Sequence, residues 1–294
     1  MTAAPPRLRR FGDLDGKTFL ICVGAAKCAT SWLHSYLGAL PEAVVSPLKE
    51  LHFFDARFST NALFDPDAFA LKRLTFHLSQ AGAQTSNLLD HATFQASVDR
   101  AQMIYDDNAY FAHFARLCTG STRCLCDLTP GYSAIGPEGF AYMREFFAAQ
   151  GTRLKILFIM RDPIARFWSQ LRHLQQLNPK NEIARNWPKA LEASALRARA
   201  DYRSIVTSLD QVFPANDLLY LFYESLFHEN TLHRLCGFAD VAYEPAQPYE
   251  KKNETTVKLP LPPAARNALE TLLAPQYAFC HDRFGSAVPT DWRE

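Results

Sequence analysis

The sequence predicts a three-layer α/β fold, a central parallel sheet flanked by helices, and three observations carry that expectation. Short apolar runs alternate with helix-patterned segments along most of the chain, and strand–helix alternation calls for parallel strands between helical layers. Two of those runs end in small or charged residues that open directly into a helix, after Val23 and after Met160. Residues 57–122 interrupt the alternation with a helical insertion.

Taken in order, residues 19–23 read as a strand and 30–40 as a helix stopped by Pro41. Val44-Val45 begin a short second strand that runs toward Lys49-Glu50. Residues 65–81 and 94–117 have helix-compatible patterns. A strand at 124–128 is closed by Thr129-Pro-Gly, and 137–149 form a helix with Pro137 in its first turn, where its missing N–H costs nothing. Residues 154–160 are the most apolar strand, 164–177 the helix after it, and 218–223 the last strand, followed by a helix through Cys236. A Pro-rich connector, Lys258-Leu-Pro-Leu-Pro-Pro263, leads into a C-terminal helix. The expectation is one domain over 1–294, with an arm at 1–17, the insertion at 57–122 as a lid, and a closing loop and helix at 251–294.

Composition excludes several classes. The 294 residues carry a net charge of +1, so no basic excess exists to hold nucleic acid or an anionic membrane, and anion recognition must be local. No apolar run approaches the roughly 18 residues of a membrane span. The basic N-terminus lacks an apolar core before Asp13 and Asp15, so no secretion signal is read. Seven scattered cysteines suit free thiols in a reducing cytoplasm. Cys118, Cys124 and Cys126 are a weak zinc signal without a second pair, and no metal is expected.

The loop Gly24-Ala-Ala-Lys27-Cys28-Ala29-Thr30-Ser31-Trp32 places small residues, one cation and two hydroxyls at a helix start, which suits a phosphate. It is P-loop-like but lacks the glycine before the lysine of the nucleotide-triphosphatase pattern. Alone, it is equally an ordinary βα turn with a solvated lysine. In Arg161-Asp-Pro-Ile-Ala-Arg-Phe-Trp-Ser169, Arg161 ends a strand and Ser169 lies about two turns into the next helix. Both can converge on one phosphate.

Together these segments resemble the sulfotransferase superfamily. Residues 27–32 are similar to its 5′-phosphosulfate loop, and 161–169 to its 3′-phosphate motif. Lys49-Glu50-Leu-His52-Phe-Phe-Asp55 is similar to the base-carrying segment of the heparan-sulfate-type branch. Asp127-Leu-Thr-Pro-Gly-Tyr132 is similar to the Thr-Pro-x-Tyr turn of that branch and its bacterial relatives. Leu219-Tyr-Leu-Phe-Tyr223-Glu224 resembles the superfamily's Tyr-Glu strand, and Lys251-Lys252-Asn253 its C-terminal closing loop. The resemblance runs over 19–285 except for 57–122. It departs at Ala29, where glycine is usual, and at Leu128, where some heparan-type enzymes carry a substrate-contacting lysine.

The resemblance implies 3′-phosphoadenosine 5′-phosphosulfate (PAPS) as donor, sulfuryl transfer to a hydroxyl or amine, an acceptor of carbohydrate type, and no required metal. Lys27 would stabilise the leaving phosphate, with Cys28, Ala29, Thr30, Ser31 and Trp32 around its oxygens. Arg161 and Ser169 would take the 3′-phosphate, Tyr223 the adenine, and Lys252 and Asn253 the phosphates or sulfate. Glu50 is the expected base and His52 its competitor, although a place inside His-Phe-Phe favours a packed histidine. Asp55 orients His52 or caps the next turn. Phe53, Phe54, Phe58 and Phe64 suit either an apolar acceptor or a small core of the insertion, and the core is preferred. A P-loop kinase and a non-catalytic nucleotide-binding protein are the rival readings.

Overall fold

Strand β1 (Thr18–Gly24) is buried along its whole length, as a strand covered on both faces must be. It is the middle of a five-stranded parallel sheet in the order β2-β3-β1-β4-β5, with β2 Ala43–Val45, β3 Cys124–Leu128, β4 Arg153–Met160 and β5 Leu218–Phe222. The computed structural model describes residues 8–246 and 255–292. All five strands point the same way, so the loops after β1, β2, β3 and β4 emerge on one edge. From β1 the chain turns toward β2 and β3, and from β4 toward β5. The carboxyl ends of β1 and β4 therefore flank the crevice where the chain changes direction, the usual ligand position in such sheets.

Helices follow the strands. They are α1 Thr30–Ala39, α2 Phe54–Arg57, α3 Pro66–Leu78, α4 Gln84–Asp90, α5 Ala92–Gln102, α6 Asn108–Leu117, α7 Gly136–Ala148 and α8 Pro163–Leu177. After them come α9 Trp187–Glu192, α10 Ser194–Ala200, α11 Tyr202–Val212, α12 Glu229–Ala239 and α13 Pro263–Phe284. Phe19 of β1 meets Phe111 and Phe114 of α6 and Phe147 of α7, with ring centroids 6.1, 5.1 and 4.9 Å apart. Tyr36 of α1 reaches Cys236 of α12 at 3.4 Å. Cys124 and Cys126 alternate onto one side of β3, their thiols 3.6 Å apart, as residues two apart on a strand must.

Three sequence readings are corrected. Residues 94–117 fall in two helices, α5 and α6, and in the break the Asp106 carboxylate accepts the Asn108 N–H at 2.9 Å, a local bond that competes with helix continuation. Strand β2 stops at Val45, since Pro47 cannot donate to a ladder and holds Ser46 extended. The reading left 178–212 unassigned, and α9, α10 and α11 lie there. Phe53 and Phe54 are fully buried in the main aromatic core, against Tyr110 and Phe146, while Phe64 is 45% exposed.

Candidate active site

The loop after β1 is shaped by two left-handed residues, Lys27 (φ 71°) and Ala29 (φ 59°). Ala29 is the N-cap of α1 and makes no capping bond, so no side chain of the cap competes for the first-turn N–H groups of Thr30, Ser31 and Trp32. A non-glycine left-handed residue costs roughly 1–2 kcal/mol, which the surrounding packing offsets. Cys28 is buried, its thiol pushed up to about 12 by burial, and is therefore an inert packing group. Trp32 stacks on Tyr36 at 5.5 Å.

Arg161 at the end of β4 donates to the Lys27 carbonyl at 3.1 Å, joining segments 134 positions apart. Its guanidinium lies over the Tyr223 ring at 4.4 Å. The Arg161-Asp162 turn is held from three sides. Tyr202 exchanges bonds with the Arg161 backbone (3.2 and 2.9 Å), Glu224 accepts the Asp162 N–H at 3.0 Å, and the Tyr277 hydroxyl donates to the Asp162 carboxylate at 2.6 Å. Asp162 caps α8 by accepting the Ala165 N–H at 2.7 Å. Ser169 is buried on that helix.

Lys27 is half-buried, and its pKa falls to about 8, through burial first and then the charges of Arg161 and Arg172. Its ammonium donates to Thr255 Oγ1 at 3.2 Å, and the next residue, Thr256, donates its N–H to Gln176 of α8 at 2.8 Å. Ser169, Arg172, His173 and Gln176 follow the helical spacing of one face. Arg172 and His173 are additions the sequence reading missed, and that spacing from Ser169 was the available signal. Arg172 Nε is buried without a hydrogen-bond partner among the described residues, and His173 is held below its ordinary pKa by burial and then by the Lys27 ammonium.

Across the crevice, residues 50–53 form a strained turn in which both Glu50 (φ 63°) and His52 (φ 54°) are left-handed. Side chains from distant elements hold five of its backbone groups, the carbonyls of Glu50, Leu51 and His52 and the N–H groups of Leu51 and Phe53. Arg73 donates to the Glu50 carbonyl at 2.9 Å. Arg100, buried in α5, donates to the carbonyls of Leu51 and His52. Thr129 accepts the Leu51 N–H at 3.0 Å and donates to Asp127 at 2.6 Å. Tyr132 accepts the Phe53 N–H at 3.1 Å and donates to Asp127 at 2.8 Å. Burial pushes the Asp127 carboxyl up, against the three hydroxyls of Thr129, Tyr132 and Tyr110 that bond it. Each such bond contributes on the order of 1 kcal/mol. The Thr-Pro-Gly-Tyr turn is thus the clamp of the Glu50 segment.

Within that turn Lys49 bonds the Glu50 carboxylate. His52 Nε2 lies 3.5 Å from Glu50 Oε2, and its Nδ1 2.7 Å from Asp55 Oδ2. Burial alone would lower the His52 pKa, but Asp55 and Glu50 outweigh it and raise it to about 9. Burial would raise Glu50, yet the His52 bond and the Lys49 charge hold its carboxyl well below the usual range. Gly131 permits this packing, since a Cβ there would stand 2.3 Å from Asp55 Oδ2 and 3.3 Å from His52 Nδ1. Gly131→Ala should therefore displace Asp55, destabilise the fold by about 1–3 kcal/mol as overpacking does, and lower kcat more than donor affinity. A variant with unchanged melting and turnover would refute that positioning.

Lys252 and Asn253 lie outside the described residues. Among the described residues no group of three or more His, Cys, Asp or Glu is placed to hold a metal ion. No described helix is long and apolar enough to cross a membrane.

One solved structure shares this architecture. A solved sulfotransferase from Alicyclobacillus acidocaldarius is 19% identical, with TM-score 0.58 over 90% of this chain and 94% of that one. The sulfotransferase domain of a Synechococcus olefin synthase is 15% identical, with TM-score 0.48 over 92% of this chain and 98% of its own. No curated protein matches. The sequence profile of the sulfotransferase family matches residues 20–245, a span that includes both phosphate-type loops and the Glu50 turn, and the chain belongs to the sulfotransferase family.

Proposed function

We propose that this sulfotransferase uses PAPS as donor and a hydroxyl or amine of a carbohydrate as acceptor. The carbohydrate class rests on the similarity of residues 49–55 and 127–132 to heparan-sulfate-type segments. The observation that carries the donor reading is the bond from Arg161 to the Lys27 carbonyl, which puts the two phosphate-type cations in one crevice. The residues suit a doubly phosphorylated ligand. The N-cap of α1 makes no side-chain cap bond, Lys27 and Arg161 lie together, and Arg172 Nε is buried with no hydrogen-bond partner among the described residues.

When bound, the donor supplies the activated sulfuryl group. Lys27 holds a positive charge where the leaving 5′-phosphate gains negative charge, a preorganised donor in a partly dry site. The α1 N–H groups with Thr30 and Ser31 hold the non-bridging oxygens. Arg161 and Ser169 take the 3′-phosphate, and Tyr223, under the Arg161 guanidinium, borders the adenine. Glu50 accepts the acceptor's proton. His52, kept as an imidazolium near neutral pH by Asp55 and Glu50, has no lone pair to offer, which favours Glu50 as base. Lys252 and Asn253 are assigned to the phosphates or sulfate by the resemblance alone, and the insertion acts as the acceptor lid.

Thermal-shift titration with 3′-phosphoadenosine 5′-phosphate tests the donor, run beside ATP–Mg²⁺ and AMP. A rise with the bisphosphate alone is expected, because a ligand that binds only the folded state stabilises it. A rise with ATP–Mg²⁺ alone would make the chain a kinase, and no response to any would return the non-catalytic reading.

A further inference from the structure

Phe64 has two fixed neighbours and one open side. It immediately precedes Asp65, the N-cap of α3, whose carboxylate accepts the N–H groups of Asp67 and Ala68. A residue in that position characteristically packs on the fourth residue of the helix. Here that residue is Phe69, with ring centroids 5.1 Å apart. The Arg73 guanidinium lies over the far neighbour, Phe69, at 4.2 Å. The second neighbour of Phe64 is His52, edge to face at 5.1 Å. The staple and the imidazole lock the ring, yet it is 45% exposed. His52 in turn stands 3.5 Å from the Glu50 carboxylate, so this rigid aromatic surface borders the proposed base. Phe53 and Phe54, by contrast, are fully buried and unavailable to a ligand.

We infer that Phe64 is the acceptor platform, and that the acceptor presents a ring, the C–H face of a pyranose or the face of a phenol, whose exocyclic hydroxyl points at Glu50. This deepens the proposed function and rests on it. A flat ring laid on an immobilised aromatic loses little side-chain entropy and excludes water from both faces. An acyclic alcohol offers no such face. Recognition by a ring surface also leaves the hydroxyl at the ring edge, free to approach the carboxylate in the plane of the crevice.

The test uses the full chain saturated with 3′-phosphoadenosine 5′-phosphate, and phenyl β-glucoside, methyl β-glucoside, phenol and n-hexanol as probes, their affinities read by saturation-transfer NMR. Phe64→Leu keeps the apolar staple but removes the flat ring, and Phe64→Tyr restores it. The expected result is that ring probes bind the wild type and Phe64→Tyr alike and bind Phe64→Leu about five- to tenfold more weakly, the scale of one aromatic pair. Hexanol should bind all three equally weakly. The pyranose and phenol arms separate the two sources of the ring. Ring probes that bind Phe64→Leu as well as wild type, or that fail to bind at all, overturn the platform. A thermal rise with the bisphosphate in each variant reports that the donor site is intact. Its absence in the wild type would instead overturn the donor reading on which this inference rests.

Discussion

Lys27→Ala should lower turnover by on the order of a hundredfold or more, the loss expected when a preorganised charge donor is removed from a leaving-group site. The half-buried ammonium has only Thr255 Oγ1 as a described bonding partner, and Arg161 and Arg172 stand close enough to depress its pKa. Those like charges raise its energy without a ligand and are relieved when an anion arrives. The protein gives up cation stability in the free state in order to hold charge ready for phosphate. The sign of the pH effect follows. With a free-state pKa of about 8 instead of 10.5, Lys27 loses its proton as pH rises past 8. The kcat/KM for the donor, which reports the free enzyme, should therefore fall above that pH. With the donor bound, phosphate charge favours the ammonium, so kcat should hold to higher pH. Near-normal turnover of the alanine variant, or a kcat/KM flat from pH 7 to 10, would remove Lys27 from the chemistry.

Glu50→Gln should keep bisphosphate affinity and lose transfer by roughly a hundred- to ten-thousandfold, the usual worth of a positioned base. The amide preserves the shape of the strained turn, whose carbonyl is held by Arg73, so the effect reads proton transfer more than folding. It also removes a negative partner of His52, whose pKa of about 9 depends on Asp55 and Glu50. That pKa should drop toward neutrality in the variant. A fully active Glu50→Gln enzyme would pass the base role to the freed imidazole. Measuring kcat beside the dissociation constant of the bisphosphate separates these outcomes, since only the first should change.

The paired cations and the turn opposite them differ in how legible they were. Lys27 and Arg161 could be read because each ends an apolar strand and begins a helix, and strand ends, small residues and helix starts are all local features. The five strands were legible for the same reason: β1 and β4 are apolar enough to declare burial on both faces. The division of 94–117 into two helices was not, because a local side-chain bond such as that of Asp106 to the Asn108 N–H competes with helix continuation without altering a helix-compatible pattern.

The sequence by itself determined the parallel sheet, the phosphate-type loops and the candidate roles of Lys27, Arg161 and Glu50. Only the tertiary structure decided the surroundings of Glu50 and His52, because those depend on Asp55 at 2.7 Å from His52 and on a clamp reaching 49 positions to Arg100 and 78 to Thr129. It also decided that Phe54 is core while Phe64 faces solvent. Two left-handed non-glycine residues in one turn each cost of the order of 1–3 kcal/mol and carry no local signal. Such a conformation persists only where long-range hydrogen bonds over-determine it, and those bonds exist only in the folded chain.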